Sequence, residues 1–241
     1  MIGTEFMIFD FHTHTFFSDG SNSPIELIRF ADSYGYCCIA ITDHASYSNI
    51  DQIINGAIRD CRLAERYWDI IAIPGVELTN IPAKSIDEMA GYAREKGAKI
   101  VVVHGESIVE PVEPGTNLAA AGSRFIDILA HPGLITEDVA KKAAANDIFL
   151  ELTHRAGHCL SNGHTVKTGR LAGAKFLINS DAHSHNDLYR TGMQKRIALA
   201  AGLDSTEVEM IFQKNNKSLL KKLGYTLASE GNRPGNENIE D

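Results

Sequence analysis

The chain has 241 residues, 44% of them hydrophobic, and a formal net charge of −8. That length can build a sizeable core in one large α/β domain or two small ones. The acidic balance and the lack of a long basic run argue against broad electrostatic binding of nucleic acid, though not against a phosphate group held through metal ions. No apolar run is long enough to span a membrane and no secretory pattern opens the chain, so a cytoplasmic protein without a membrane partner is expected. The four cysteines, Cys37, Cys38, Cys61 and Cys159, contain no Cys-x-x-Cys pair and read as reduced thiols.

In chain order, residues 1–6 read as a cloning remnant ahead of a natural start at Met7. A first strand is expected at about 6–11. Ser23 as N-cap and Pro24 at the first helical position then open a helix to about 34. Further strands are expected at 37–41, 70–73, 99–103, 125–130, 148–152 and 175–179. Helices are expected at 50–67, 85–96, 117–121, 137–145 behind a Thr136 cap, and 166–172, with the remainder helical to about 222. Residues 227–241 have little to bury and read as a disordered tail. Strands that each feed a crossover favour a parallel sheet with right-handed connections. Units of roughly 30 residues suit a closed or nearly closed β/α barrel, whose active site lies at the carboxyl ends of its strands. A flat doubly wound sheet is the second possibility, because periodicity alone does not settle closure.

The chemistry gathers where strands end. In Asp10-Phe-His12-Thr-His14, side chains two apart share a strand face, so two imidazoles converge and can bind one divalent cation. Every expected strand except the sixth ends in a plain ligand type: His12 and His14, His44, Glu77, His104, His131, then Asp181 and His183. Asp19, in Phe17-Ser-Asp-Gly20, lies on the loop after the first strand and can reach the same space. One cation takes four to six donors, so nine candidates point to two or three ions sharing a bridging carboxylate.

Asp10-x-His12-x-His14, Ser18-Asp-Gly20, Thr42-Asp-His44, Gly75-Val-Glu77, His104-Gly-Glu106, Ala130-His-Pro-Gly133 and Ser180-Asp-Ala-His183 together resemble the motifs of the PHP (polymerase and histidinol phosphatase) family, over about residues 7–190. The resemblance implies a distorted seven-stranded (β/α)7 barrel, TIM-barrel-like, in a single domain over 7–226. It implies three divalent ions, zinc, manganese or iron, and hydrolysis of phosphate esters. By the family pattern His12, His14, Glu77 and Asp181 hold one ion; Asp19, His44 and His183 a second; and Glu77, His104 and His131 a third, with Glu77 as the bridge. The position of Asp19 is His in some members and Asp in others, and Asp there weakly favours manganese or iron. Glu77, Asp181 and His183 then act through a metal-bound hydroxide that attacks phosphorus in line, and no side-chain nucleophile is needed.

Weaker signals follow the sixth strand. Arg155 can fork onto a phosphate, and His158, Asn162 and His164 can shape the substrate pocket, with His158 also a candidate for protonating the leaving group. Asp43 and Asp10 are expected to orient ligand imidazoles, and Glu106 and Glu110 to be supporting or loop carboxylates. The expected partner is a small-molecule phosphate ester, histidinol phosphate being the first to assay; the sequence carries no reading of oligomeric state. Three rivals remain open. An amidohydrolase also opens with His-x-His, but no lysine closes a strand here to bridge two ions. A phosphodiesterase or exonuclease and a non-catalytic scaffold on the same barrel are the others.

Overall fold

The computed structural model describes residues 7–227; the expected remnant at 1–6 and nearly all of the expected tail at 227–241 lie outside the described residues. In order, the elements are β1 (Ile8–Asp10), α1 (Pro24–Ser33), β2 (Tyr36–Ile41), β3 (His44–Ala45), α2 (Ile50–Tyr67), β4 (Ile71–Leu78), α3 (Ile86–Glu95), β5 (Ile100–His104), α4 (Thr116–Gly122), β6 (Ile128–Ala130), α5 (Glu137–Ala145), β7 (Phe149–Thr153), α6 (Asn162–Ala172), β8 (Phe176–Asn179), α7 (Met193–Ala200), α8 (Ser205–Met210) and α9 (Asn216–Lys222). A π-helical turn, Ile211–Asn215, joins the last two. Residues 184–192, expected to be helical, run as turns and extended chain instead. Among the described residues no helix is long and apolar enough to cross a membrane.

Local chemistry places the helices. Ser23 and Glu26 form a reciprocal capping box around Pro24, which has no N–H to leave unpaired. Thr136 caps α5 by accepting from the Val139 N–H. In α2, Ile50, Ile53, Ile54, Ala57, Cys61 and Ala64 recur at helical spacing and are the residues it buries.

The strands are all parallel, in the order β1-β2-β4-β5-β6-β7-β8, with β3 attached to β4. The two ends of that path meet. Thr13 bridges Ala182, the His14 N–H donates to Ala182 O at 2.8 Å, and the Asp181 N–H donates to His12 O at 3.0 Å. The buried Gln194 amide donates to Phe9 O and to Ile178 O at 2.6 and 2.7 Å, stapling β1 to β8. The sheet is therefore a nearly closed TIM-barrel-like β/α barrel, and the flat sheet is excluded.

Alternation along each strand sorts two cores. Ile39, Ile41, Val101, Val103, Leu129, Leu150 and Ile178 face the helices. Cys38, Ala40, Ile73, Ile100, Val102, Ile128, Phe149 and Leu177 fill the barrel, where Leu219 and Leu220 of α9 join them. The same two-residue period carries the inward face from Ile73 through Gly75 to Glu77, from Val102 to His104, from Phe149 to Glu151, and from Leu177 to Asn179 and Asp181. The interior is apolar for most of its length and becomes ionisable where the strands end.

One expected boundary is corrected. The third strand of the reading stops at 73, before Pro74-Gly75, a dipeptide that reads as a turn; the observed β4 runs on to Leu78. Its first half pairs with β2 and its second half with β5 and β3, so Pro74 sits where the strand changes partners. Gly75 is required because a Cβ there would lie 2.5 Å from Ile100 O. Gly75→Ala is expected to cost about 1–3 kcal/mol or more through overpacking, read as a lowered urea midpoint with unchanged m-value.

Candidate metal centre

Six of the nine expected ligands have their side chains essentially buried in the barrel mouth. His12, His14 and Glu77 are fully buried, and Asp181, His131 and His104 are nearly so. Nε2 atoms of His12 and His14 approach to 3.0 Å. His12 Nε2 lies 3.3 Å from Glu77 Oε1 and 3.8 Å from Asp181 Oδ1, and His14 Nε2 lies 3.1 Å from Asp181 Oδ1. His131 Nε2 is 3.6 Å from Glu77 Oε1 and 3.8 Å from Asp181 Oδ2. On the other carboxylate oxygen, His44 Nδ1 sits 2.6 Å from Glu77 Oε2. His183 Nε2 is 3.1 Å from Asp19 Oδ2, and His44 Nε2 is 3.7 Å from Asp19 Oδ1.

These separations match donors around shared cations. Four groups of side chains bring ligand atoms within 4.8 Å of one another: His12 with His14 and Asp181; His12 with Glu77 and His131; His14 with Asp19, His44 and His183; and His104 with His131 and His158. The first holds three of the four residues that the resemblance gives one ion, without Glu77, and the third adds His14 to Asp19, His44 and His183. The fourth contains His158, and Glu77 groups with His12 and His131 rather than with His104.

Orphaned atoms give an independent test of fit. Glu77 Oε1 is buried with no hydrogen-bond partner. Burial alone would raise its pKa, but the His12, His44 and His104 imidazoles hold the carboxyl well below its ordinary range, so it is ionised. The Glu151 carboxylate accepts from His12 Nδ1–H at 2.8 Å and turns Nε2 toward the Glu77 and Asp181 oxygens; with no cation between them, these carboxylates hold His12 protonated, well above the ordinary imidazole range. Burial and the neighbouring imidazoles hold His14 and His131 well below the usual imidazole range, hence neutral and able to donate lone pairs. Lone pairs facing anionic oxygens in a dry site call for a cation between them. Among the described residues no lysine or arginine forms an ion pair with these carboxylates.

Backbone strain marks the same place. Among the described residues, His131 and Asp181 are two of the four non-glycine residues with positive φ, at 25° and 55°. Each costs of order 1–3 kcal/mol and persists only where the surroundings impose it. In both, the turn swings a donor inward just past its strand.

Supporting residues differ from expectation. The sixth strand of the reading, β7, carries no expected ligand, yet its Glu151 holds His12 and also accepts from Asn179 Nδ2 at 2.9 Å. Its signal was present: a charged residue on the inward period of an apolar strand. Asp43 orients no imidazole; it accepts from Thr15 N, Thr15 Oγ1 and Ser18 Oγ, each at 2.7 Å, and so pins the loop that carries Asp19. Asp10 likewise serves the barrel seam, accepting from Ser180 N at 3.0 Å. Glu106 accepts from Gly115 N and Asn117 N, anchoring the loop before α4. Asn162 exchanges hydrogen bonds with the Thr153 backbone at the end of β7. His164 Nε2 lies 2.8 Å from Ile135 O. Arg155 is half-buried just past β7, its N–H donating to Thr153 Oγ1 at 3.2 Å, and His158 meets Ser107 and Glu110.

The mouth is graded in access. Asp19 is 55% exposed and His183 12%, while Glu77 is fully buried. Next to His104 lies a cavity of about 230 Å³, lined largely by aliphatic groups including Leu78, Ile81, Pro82, Val103 and Val112.

Comparison with known proteins agrees with the fold. The family model described as PHP domain matches residues 10–226. An uncharacterised protein of Methanocaldococcus jannaschii is 48% identical over 218 residues, 90% of this chain and 100% of its own. At the level of fold, a candidate histidinol phosphatase HisK from Listeria monocytogenes aligns with a TM-score of 0.57 at 11% identity, over 76% of this chain and 98% of its own. YwqE of Bacillus subtilis and CpsB of Streptococcus pneumoniae, described as metal-dependent tyrosine phosphatases, give a TM-score of 0.55 at 14% identity, over 95% of this chain and 100% of theirs. Amidohydrolase structures share the fold as well, one with a TM-score of 0.57 at 12% identity.

Two substitutions test the supporting residues. Burial pushes Asp10 from its ordinary 3.8 up to about 7, against the hydrogen bonds from Ser180 and His12. The folded form therefore binds the proton more tightly: the stabilisation is full below about pH 3.8 and is lost as pH rises to about 7. In metal-stripped protein, Asp10→Asn is expected to flatten that decline, worth up to about 4 kcal/mol, as read from denaturation midpoints between pH 4 and 8. Glu151→Gln is expected to weaken metal affinity about 10–100-fold, as read by metal titration.

Proposed function

This chain belongs to the PHP domain family, and from that premise we propose that it is a metal-dependent phosphoesterase acting on a small phosphomonoester. The observation that carries the reading is Glu77, an ionised carboxylate with one unpartnered oxygen, buried within reach of His12, His44 and His131. We propose three divalent ions, zinc, manganese or iron, held by His12, His14, Asp19, His44, Glu77, His104, His131, Asp181 and His183. Bound there, such ions would offset the charge of a phosphate dianion and make hydroxide available near neutral pH.

The residues of the chain supply the rest. Glu151 keeps the proton of His12 on Nδ1, so Nε2 faces the centre. Asp43, through Thr15 and Ser18, holds the Asp19 loop at the open side. The barrel floor excludes water beneath Glu77, which strengthens every electrostatic contact above it. With acidic side chains around the mouth, a phosphate group is attracted only if cations reverse the local sign. To Arg155, past β7, we assign contact with a phosphate oxygen. The cavity beside His104 is sized and lined for the organic part of a small ester. Phosphatase chemistry is what two of the solved neighbours are named for, and it is the activity this reading carries over to the chain. The free thiols of Cys38, Cys61 and Cys159 favour a reducing compartment, and we place the protein in the cytoplasm.

The test is turnover of p-nitrophenyl phosphate and its bis-ester by metal-stripped protein reloaded with Mn²⁺, Zn²⁺ or Fe²⁺. The expected result is metal-dependent cleavage that is faster on the monoester. His12→Ala and Asp181→Ala should each fall at least about 10³-fold, toward background. Metal-independent turnover, or activity retained in either variant, would overturn the reading. A faster bis-ester would move it to phosphodiester substrates.

A further inference from the structure

We infer that His158 is a metal ligand, completing with His104 and His131 a three-imidazole cation site in which Glu110 supplies an exchangeable oxygen. The inference rests on the metal-dependent reading above but departs from its ligand set. The family pattern gives the third ion Glu77, His104 and His131, whereas here the ligand atoms of His104, His131 and His158 come within 4.8 Å of one another and Glu77 groups elsewhere.

The geometry is built for this purpose. His158 is buried and stacks on His131, with ring centroids 4.1 Å apart, and meets His104 edge-on at 5.8 Å. Its Nδ1 is taken up by Ser107 Oγ at 2.7 Å, and His104 Nδ1 by Gly105 O at 3.1 Å. Both rings are thereby fixed with Nε2 pointing the same way. Those two Nε2 atoms converge on one carboxylate: Glu110 Oε2 is 2.9 Å from His104 and Oε1 is 3.4 Å from His158. Donors on a tetrahedral ion at about 2.0–2.1 Å are about 3.3–3.4 Å apart, so imidazole ligand atoms within 4.8 Å of one another need only a small inward shift to surround one ion.

The loops confirm the pairing of these residues. Ser107 and Glu110 follow β5, and His158 opens the turn after β7. The two loops lean on each other at Gly157, where a Cβ would lie 3.0 Å from Val109 Cγ2. Three imidazoles orient one another without needing charge, but a carboxylate drawn onto two of their Nε2 atoms marks a place for positive charge. Glu110 is 49% exposed, so it is the ligand a solvent or substrate oxygen can replace, while the imidazoles stay.

The experiment is titration of metal-stripped protein with Co²⁺, following visible absorption and the number of equivalents retained on dialysis. His158→Asn keeps a group able to bond Ser107 and removes Nε2 together with the ring that stacks on His131. It is expected to lose one equivalent, or bind it at least about 100-fold more weakly, with the other equivalents unchanged. Glu110→Gln is expected to keep every equivalent and weaken the same one by a smaller factor. Full occupancy of His158→Asn at wild-type affinity would overturn the inference, as would equal weakening of every equivalent. Wild-type protein that takes up no Co²⁺ would instead overturn the phosphoesterase reading beneath it.

Discussion

The structure depends on a buried negative charge. Glu77 lies at the end of β4 with its side chain out of water, and an isolated carboxylate in such a place costs several kcal/mol even after relaxation. The chain meets that cost with imidazoles drawn from separate strand ends: His12 after β1, His44 in β3 and His131 after β6. No local segment can gather them. Only closing the sheet brings residues 12, 44, 77 and 131 to one point, so the electrostatics of the mouth and the curvature of the barrel are one requirement.

That requirement also explains the charge pattern around the site. The imidazoles do not share one protonation state. Burial pushes His12 down, but Glu151, Glu77 and Asp181 carry it well above the ordinary range; His14 and His131, crowded by other imidazoles, fall well below it. Asp19 is the outer member: burial raises it, yet His183 and His44 draw it down to about 2. The mouth thus runs from a dry carboxylate shared by several imidazoles at its floor to a wet, ionised one at its lip.

Much of this was legible in the sequence because strands announce their ends. The motifs around His12, His44, His104, His131 and Asp181 each close an apolar run, and the structure brings those side chains together. What was hidden was hidden for physical reasons. Pro74-Gly75 carries the local signature of a turn, and only the close approach of Ile100 explains why a strand continues through it. Glu151 sits inside an apolar strand rather than at its end, so its role depends on facing β1 across the barrel. Asp43 is next to a ligand in sequence but bonds to the loop after β1. The fourth group needed two loops, after β5 and after β7, to be laid side by side, and no spacing in the chain encodes that.

The seam between β1 and β8 is thinly fastened by backbone: one bridge at Thr13–Ala182, its flanking hydrogen bonds, and the Gln194 staple. The side chains leaving the two sides of that join are His12 and His14 on one and Asp181 and His183 on the other. Any ion that ties these together works as a clasp across the first and last turns of the chain. Such a clasp contributes free energy that grows with the logarithm of free ion concentration. The barrel's resistance to opening would then follow the cell's supply of its cation, and starvation for that cation would loosen the fold at the same edge where the chemistry is housed.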